Sequence, residues 1–363
     1  MPNPSPSVSI PPRPRIPVAV LGATGAVGQT FIRLLTDHPW FQITALAASE
    51  RSAGKRYDAA ARWLSGTMPA EIASMCVVPC DPTYVDAPLV FSALDASVAG
   101  EVEGAFARAG RFVLSNARNY RLEPDVPLLI PEVNPDHLAL LDGQRAARGW
   151  EGAIITNSNC ATMVIAMALA PLHRAFGVRQ LFVTTLQAVS GAGYPGVPSL
   201  DILGNVIPYI GGGEEEKIIA ETPKILGAYA NGAITPAPMQ ISAQVTRVPV
   251  ENGHTACMAV ALERRAEPEE AIAAITAWKS AVEDLGLPSA PAPTLAVTRE
   301  EDRPQPKRDA DAGRGMTVTI GRVRRDPILD LRLVALGHNT IRGAAGASVL
   351  NAELLVARGL VGA

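Results

Sequence analysis

A glycine-spaced segment, Gly22-Ala-Thr-Gly25-Ala-Val-Gly28, joins the apolar run Val18-Ala-Val-Leu21 to Gln29–Leu35, where apolar residues recur at helical spacing until Pro39. No other feature constrains the fold as much. A strand passing through a glycine turn into a helix offers free N–H groups at the positive end of that helix, and glycines let a backbone approach a pyrophosphate closely. The spacing is G-x-x-G-x-x-G rather than the commoner G-x-G-x-x-G, so a tight turn holding no ligand is the bland alternative. Gly22, Thr24, Gly25, Ala26, Val27 and Gly28 are the candidate cofactor-binding positions. Downstream, Ile43–Ala48, Leu89–Leu94 and Phe112–Ser115 read as buried parallel strands and Val98–Ala109 as a helix. Strands and helices that alternate in this way predict an α/β domain on a Rossmann-like parallel sheet.

Around residue 150 the pattern changes. Ile154-Ile-Thr156 predicts a strand entering a turn, Cys160–Phe176 a long helix, and Gln180–Ala188, Ile241–Val250, Thr255–Leu262, Thr317–Val323 and Leu329–Leu336 further strands. Two of these flank Glu251-Asn-Gly-His254, whose Asn-Gly pair predicts an antiparallel hairpin. A second, α+β domain with a mixed sheet is therefore expected. Pro288–Pro293 reads as a surface linker, and Gly343–Ser348 as a small-residue turn before a closing helix through Val356. The expected organisation is a flexible Pro-rich tail over 1–17 and a cofactor-binding domain over 18–155, completed by 338–363. A catalytic and dimerisation domain spans 156–337.

Composition bounds the function classes. A chain of 363 residues suits two domains of roughly 100–200 residues each. Apolar residues at 48% against 18% charged supply a core and exclude a disordered chain. A net charge of −3 without a long basic run argues against nucleic acid. The longest mostly apolar run, Ala161–Leu172, falls short of the roughly 18 residues that a membrane span needs. Four cysteines are too few for a disulfide framework, which points to a reduced, cytoplasmic setting.

The segment after the second strand, Ser49-Glu50-Arg51-Ser52-Ala-Gly-Lys55, bears on cofactor choice. Glu50 would accept from a ribose 2′-hydroxyl, whereas Ser49, Arg51 and Ser52 would cradle a 2′-phosphate, with Lys55 adding charge. The balance of residues favours NADP over NAD.

Asn157-Ser-Asn-Cys160-Ala-Thr162 puts a cysteine in the first turn of the long helix, with Asn159 as its N-cap. Free N–H groups and the helix dipole lower a thiol pKa there, so Cys160 is the reactive candidate, although a cysteine at a helix start is commonly a small buried residue. Cys257 lies within an apolar strand, and Cys76 and Cys80 lack a matching ligand pair, so no metal is expected. His254 follows the Asn-Gly turn. Arg247 lies in an apolar strand and needs a carboxylate partner, either a substrate or a structural residue. Glu214 and Lys217 sit three residues apart at a helix start, where a solvated charged turn is the plain alternative.

Six motifs then occur in order: Gly22–Gly28, Asn157–Thr162, Gly191-Ala-Gly-Tyr-Pro-Gly196, Gly211-Gly-Gly-Glu-Glu-Glu-Lys217, Arg247-Val-Pro-Val-Glu-Asn-Gly-His254, and Gly337-His-Asn-Thr-Ile-Arg-Gly-Ala-Ala-Gly-Ala347. Together, from about Val18 to Leu355, they closely resemble the aspartate-semialdehyde dehydrogenase family, particularly its archaeal and fungal branch. The resemblance implies NADP-dependent interconversion of aspartate 4-semialdehyde plus phosphate with 4-aspartyl phosphate, on the route to lysine, methionine and threonine. It implies Cys160 as nucleophile, His254 as acid/base and Gln187 as the residue orienting the acyl group. Arg247 and Glu214 would bind the amino-acid end of the substrate, with Asn159 beside them, and Lys217 and Arg121 would hold phosphate, with Arg118 competing for that role. Gly346 and Asn351 would lie in the segment that returns to flank the nicotinamide. A homodimer or homotetramer is implied, with small-molecule partners only. The rival readings are a malonyl-CoA or succinyl-CoA reductase, the more distant N-acetyl-glutamyl-phosphate reductase, and a catalytically silent NADP sensor. Retained Glu214 and Lys217 count against the CoA enzymes, and the joint presence of Cys160, Gln187, Arg247 and His254 against silence.

Overall fold

In the computed structural model, residues 14–64 and 66–362 are described. The first alternating stretch forms six strands: β1 (Ile16–Leu21), β2 (Phe41–Ala48), β3 (Val77–Pro79), β4 (Leu89–Ser92), β5 (Phe112–Ser115) and β6 (Ala153–Thr156). All pair in parallel, in the order β3-β2-β1-β4-β5-β6. The chain reverses its direction of travel across the sheet between β1 and β4, the switch point at which an open α/β sheet leaves a crevice for ligands. Val18, Ala19 and Val20 are fully buried, because a parallel sheet covered on both faces admits no polar face. Phe31 on the helix Ala26–Leu35 packs on Phe91 of β4 with ring centroids 5.1 Å apart. Each such buried ring contributes about 1.5–3 kcal/mol.

The tail expected over 1–17 lies outside the described residues up to position 13, and its end is shorter than expected. β1 begins at Ile16, not Val18: Ile16 is 1% exposed and its N–H donates to the Trp40 carbonyl at 2.8 Å. Pro and Arg at positions 14, 15 and 17 masked a strand start that pairing with β2 enforces.

The second sheet contains β7 (Val178–Gln187), β8 (Ile207–Pro208), β11 (Gln240–Arg247), β12 (His254–Leu262), β13 (Leu295–Val297), β14 (Val318–Arg325) and β15 (Leu331–Gly337), while β9 (Ala228–Ala230) and β10 (Ala233–Thr235) make a small separate hairpin. Its order is β13-β14-β15-β12-β7-β11-β8. The hairpin expected at Asn252-Gly253 does not form, because β7 lies between β11 and β12, parallel to the first and antiparallel to the second. The chain instead crosses the end of β7, where the carbonyls of Val250 and Glu251 accept from Val189 and Ser190, and the Gly253 N–H donates to Asn339 Oδ1 at 2.9 Å. An Asn-Gly turn bends the chain locally and does not choose which strand the next one pairs with.

Helix Cys160–Phe176 is buried from Ala161 to Leu172, as a helix apolar on all sides must be, and it packs against one face of this sheet together with Pro268–Thr276. On the opposite face Phe182 (54% exposed), Leu186 and Cys257 remain uncovered. The closing helix Gly346–Ala357 is buried from Gly346 to Val356 and packs on the first sheet's core. Two further expectations change here. Pro288–Pro293 is only partly a surface linker: Ala292 and Pro293 are exposed, but Pro291 is buried and the Ser289 N–H donates to Glu353, and residues 341–345 form a wide helical turn that runs straight into the closing helix.

Candidate active site

The strand order brings three strand ends together. Gln187 ends β7, Arg247 ends β11 directly beside it in register, and His254 begins β12 on the other side. All three are at most 5% exposed. Opposite them stands the start of the Cys160 helix, where Asn159 Oδ1 accepts from the N–H groups of Ala161 and Thr162 at 3.0 and 3.2 Å. His254 Nε2 lies 3.1 Å from Cys160 Sγ although 94 positions separate them. The Ala188 N–H donates to His254 Nδ1 at 3.1 Å, and Arg247 Nη1 donates to the Ala188 carbonyl at 2.7 Å, so one backbone unit orients both side chains.

Electrostatics correct one expectation. The Ala161 N–H lowers the Cys160 thiol pKa, as a helix start should, but burial and the Glu214 carboxylate outweigh it and push the thiol up to about 12, against partial relief from Arg121 and Arg247. Cys160 is a neutral thiol at rest, partly accessible from the cleft. Burial, then Arg247 and His338, push His254 down to about 3. Geometry points the same way: Nδ1 already accepts a hydrogen bond, so the neutral ring carries its proton on Nε2, and a proton on both nitrogens would set two N–H groups against each other.

A depressed histidine destabilises the fold in acid. Between the ordinary pKa of 6.5 and about 3, the unfolded chain takes up a proton that folded His254 refuses, so its contribution is present above 6.5 and lost as pH falls. Buried Glu103, pushed up to about 7 by burial, titrates oppositely: the stability it adds is full below 4.5 and lost as pH rises toward 7. The two effects offset each other in the intact protein. Thermal melts of wild type and His254→Asn should therefore diverge in their pH dependence, the wild-type advantage shrinking by about 1.4 kcal/mol per pH unit from 6.5 to 4.5. A constant difference over that range would mean that His254 titrates normally.

A cleft of about 1280 Å³ runs from the Cys160 cluster to the glycine turn, where Ala26 and Val27 line it. Its walls include Leu94 and Asp95 beyond β4, at the switch point. Gly22 has φ +73°, and a Cβ on it would stand 2.6 Å from the Ala93 carbonyl oxygen; a Cβ on Gly28 would stand 2.3 Å from that of Gly22. These glycines hold the turn shut so that Gly25, the N-cap, stays exposed at the helix start. Thr24 is fixed by Gln29 Nε2 on its carbonyl. Exposed Ser49 and Arg51 and half-buried Ser52 form the turn after β2. Ser49, Arg51 and Ser52 lie outside the cleft's lining; the exposed helix start suits a pyrophosphate, and exposed Ser49 and Arg51 are donors suited to a 2′-phosphate.

The structure separates other expected positions from the cleft. Gly346 is buried against Met316 and Ile341, and Asn351 is fully buried with its Nδ2 donating to Asn157 Oδ1 at 2.7 Å. Neither lines the cleft; Gly343 and Ala344 do. Asn159 lines it, but its side chain is committed to capping and to Glu214 Oε2 at 2.7 Å. Arg121 lines the cleft but is 8% exposed and paired with Glu221 at 2.9 Å, whereas Arg118 is exposed on the cleft wall, 3.4 Å from the Gly212 carbonyl and close enough for its charge to act on Asp95. Lys217 pairs with Glu214 at 2.5 Å. Sequence reasoning missed Glu221, which is 1% exposed and also accepts from the Asn159 N–H at 2.6 Å. Only its helical spacing from Glu214 and Lys217 hinted at it.

Comparison with known proteins follows the same two-part division. The family model "Semialdehyde dehydrogenase, NAD binding domain" matches residues 17–141, and "Semialdehyde dehydrogenase, dimerisation domain" matches 169–342. The aspartate-semialdehyde dehydrogenase of Archaeoglobus fulgidus is 51% identical over 343 residues, 94% of this chain and 98% of the relative. The crystal structure of that enzyme with NADP from Candida albicans superposes with a TM-score of 0.88 at 45% identity, covering 95% of this chain and all of that one. The aspartate semialdehyde dehydrogenase II of Vibrio cholerae, complexed with ASA, superposes at 0.73 with 28% identity, over 95% of this chain and 99% of that one.

Proposed function

The chain belongs to the aspartate-semialdehyde dehydrogenase family, and from that membership and the site geometry we propose how its residues interconvert aspartate 4-semialdehyde plus phosphate and 4-aspartyl phosphate through a Cys160 thioester. It is an NADP-dependent oxidoreductase acting on an aldehyde group. The observation that carries the reading is the 3.1 Å approach of His254 Nε2 to Cys160 Sγ at the head of a cleft that ends on the glycine turn.

The Cys160 sulfur adds to the aldehyde carbon, its thiol proton passing to solvent, and the former carbonyl oxygen becomes an alkoxide. His254 presents Nε2–H to that oxygen as it previously did to the sulfur. This revises the acid/base role, since a ring whose Nδ1 accepts from Ala188 has no vacant Nε2 with which to take a proton. The glycine turn and the Ser49–Ser52 turn would hold NADP, which would supply the hydride acceptor for oxidation of the adduct to the thioester. Phosphate oxygen then attacks the acyl carbon, the C–S bond breaks, and the sulfur leaves as a thiolate facing Nε2–H and the Ala161 N–H; the proton balance closes with the one lost from hydrogen phosphate. Fixed donors aimed at developing negative charge lower both barriers. Gln187 orients the acyl group beside Arg247, whose fork suits the α-carboxylate. Glu214 takes the substrate ammonium, which releases Lys217 toward phosphate. Arg118, exposed on the cleft wall, is the arginine freest to reach phosphate, while Arg121, which also lines the cleft, is held by Glu221 and adds its charge.

Residues 16–155 with 338–363 serve as the cofactor-binding domain and 156–337 as the catalytic and dimerisation domain. The chain self-associates, as a homodimer or homotetramer, through the uncovered face bearing Phe182 and Leu186, an apolar surface of the kind that association buries. No helix among the described residues is long and apolar enough to cross a membrane, and the reducing cytoplasm suits its free cysteines.

The test follows NADPH absorbance with aspartate semialdehyde plus phosphate, and separately with malonyl-CoA. Phosphate-dependent turnover should dominate, and Lys217→Ala and Arg118→Ala should each raise the KM for phosphate at least about tenfold, the loss of one charge-assisted contact. Faster reduction of malonyl-CoA, with a normal phosphate KM in both variants, would overturn the phosphate assignment.

A further inference from the structure

Among the described residues Arg342 is the largest side chain buried without residual exposure, and its guanidinium forks onto Glu132, also fully buried, at 2.6 and 2.8 Å. Taking two charges out of water is costly, and such a pair rarely adds net stability over apolar residues of similar volume. Its location suggests what it does. Arg342 lies in the wide turn Ile341–Ala345, a helix type that is uncommon and concentrated at functional sites. The next residue, Gly343, rests directly on the nucleophile: a Cβ there would stand 2.6 Å from the Cys160 Cβ and 2.9 Å from its Cα. The Ala344 carbonyl accepts from Asn157 Nδ2 at 2.8 Å, three residues before Cys160. Glu132 follows the stretch that flanks β6 from the other side, where the Leu129 N–H donates to the Thr156 carbonyl and the Thr156 N–H to that of Pro127. Arg342 Nη2 also reaches Met167 Sδ at 3.2 Å, on the Cys160 helix itself.

We propose that the Arg342–Glu132 pair is a positioning device that clamps the 341–345 turn onto Cys160 and thereby holds the sulfur against His254. It touches neither substrate nor cofactor. The inference rests on Cys160 being the nucleophile. A planar guanidinium held at two points fixes the turn in direction as well as distance, which a lysine or an apolar contact does not. A displacement of about 1 Å at a reacting atom costs about a hundredfold in rate.

The test uses the full-length double variant Glu132→Leu/Arg342→Met, which removes both charges together so that neither is left buried and unpaired. Its thermal midpoint, its kcat and KM for aspartate semialdehyde, and the pH profile of iodoacetamide alkylation at Cys160, located by peptide mass spectrometry, are compared with wild type and His254→Ala. The expected result is a folded protein whose kcat falls at least tenfold with KM within threefold. Its alkylation profile should converge on that of His254→Ala, because the sulfur no longer meets the ring. A folded double variant with wild-type kcat and alkylation profile overturns the clamp. If the double variant does not fold, Arg342→Lys, which keeps the charge and loses the fork, is judged on the same two readouts. Near-normal turnover in Cys160→Ala would instead overturn the nucleophile assignment, an outcome these profiles do not depend on.

Discussion

Cys160→Ala should lose several orders of magnitude in turnover, the scale on which removing a covalent nucleophile acts. The reason lies in its neighbourhood. Cys160 Sγ faces His254 Nε2 at 3.1 Å, and the residue sits at the head of the cleft. None of the other free cysteines, Cys76, Cys80 and Cys257, is in that cleft, so none can substitute. NADP affinity should be retained, because the glycine turn contacts no part of the side chain removed, and fluorescence titration with NADPH measures this. Mass spectrometry of protein quenched with aspartyl phosphate should find the acyl adduct on the peptide containing Cys160. An adduct on Cys257, or turnover near that of wild type, would sink the assignment.

The second large effect concerns how His254 works. As a hydrogen-bond donor to sulfur and alkoxide, its loss in His254→Ala should cost about 10²–10³ in kcat, the cost of removing one oxyanion donor. His254→Gln, which can offer an amide N–H and cannot titrate, should recover at least tenfold of that. Because burial, Arg247 and His338 push the ring down to about 3, kcat should show no limb assignable to this histidine between pH 5.5 and 8. The opposite pattern, a Gln variant as slow as Ala together with a wild-type limb that vanishes in both, would restore the acid/base role. The Ala188 N–H on Nδ1 would then have to be given up at each turnover.

Both predictions depend on contacts that were unequally legible in the chain. The glycine turn, the alternating strands and the Asn159 cap were readable because each is set within a few residues: the turn needs no Cβ at Gly22 or Gly28, and the cap needs an acceptor two and three residues before its donors. The hairpin at Asn252-Gly253 was misread for the complementary reason. Its residues bend the chain, but β7, drawn from some 60 residues earlier, pairs with β11 on one side and β12 on the other, and nothing near the turn encodes that insertion.

Sequence by itself determined the α/β class, the second mixed sheet, the family and the cluster from which the nucleophile had to come, since all of these rest on patterning and spacing along the chain. Tertiary structure alone decided the chemistry of that cluster. Burial and Glu214 turn a helix-start thiol from an expected low pKa to about 12, and Glu221, 100 positions from Arg121, ties down the arginine expected to hold phosphate. Arg342 and Glu132 meet across 210 positions. A pKa or an ion pair sums the field and desolvation of everything within a few ångströms, whatever its place in the chain, whereas a turn or a cap is settled by its immediate neighbours. The fold was therefore readable early, and the protonation states and clamps that make it an active site were not.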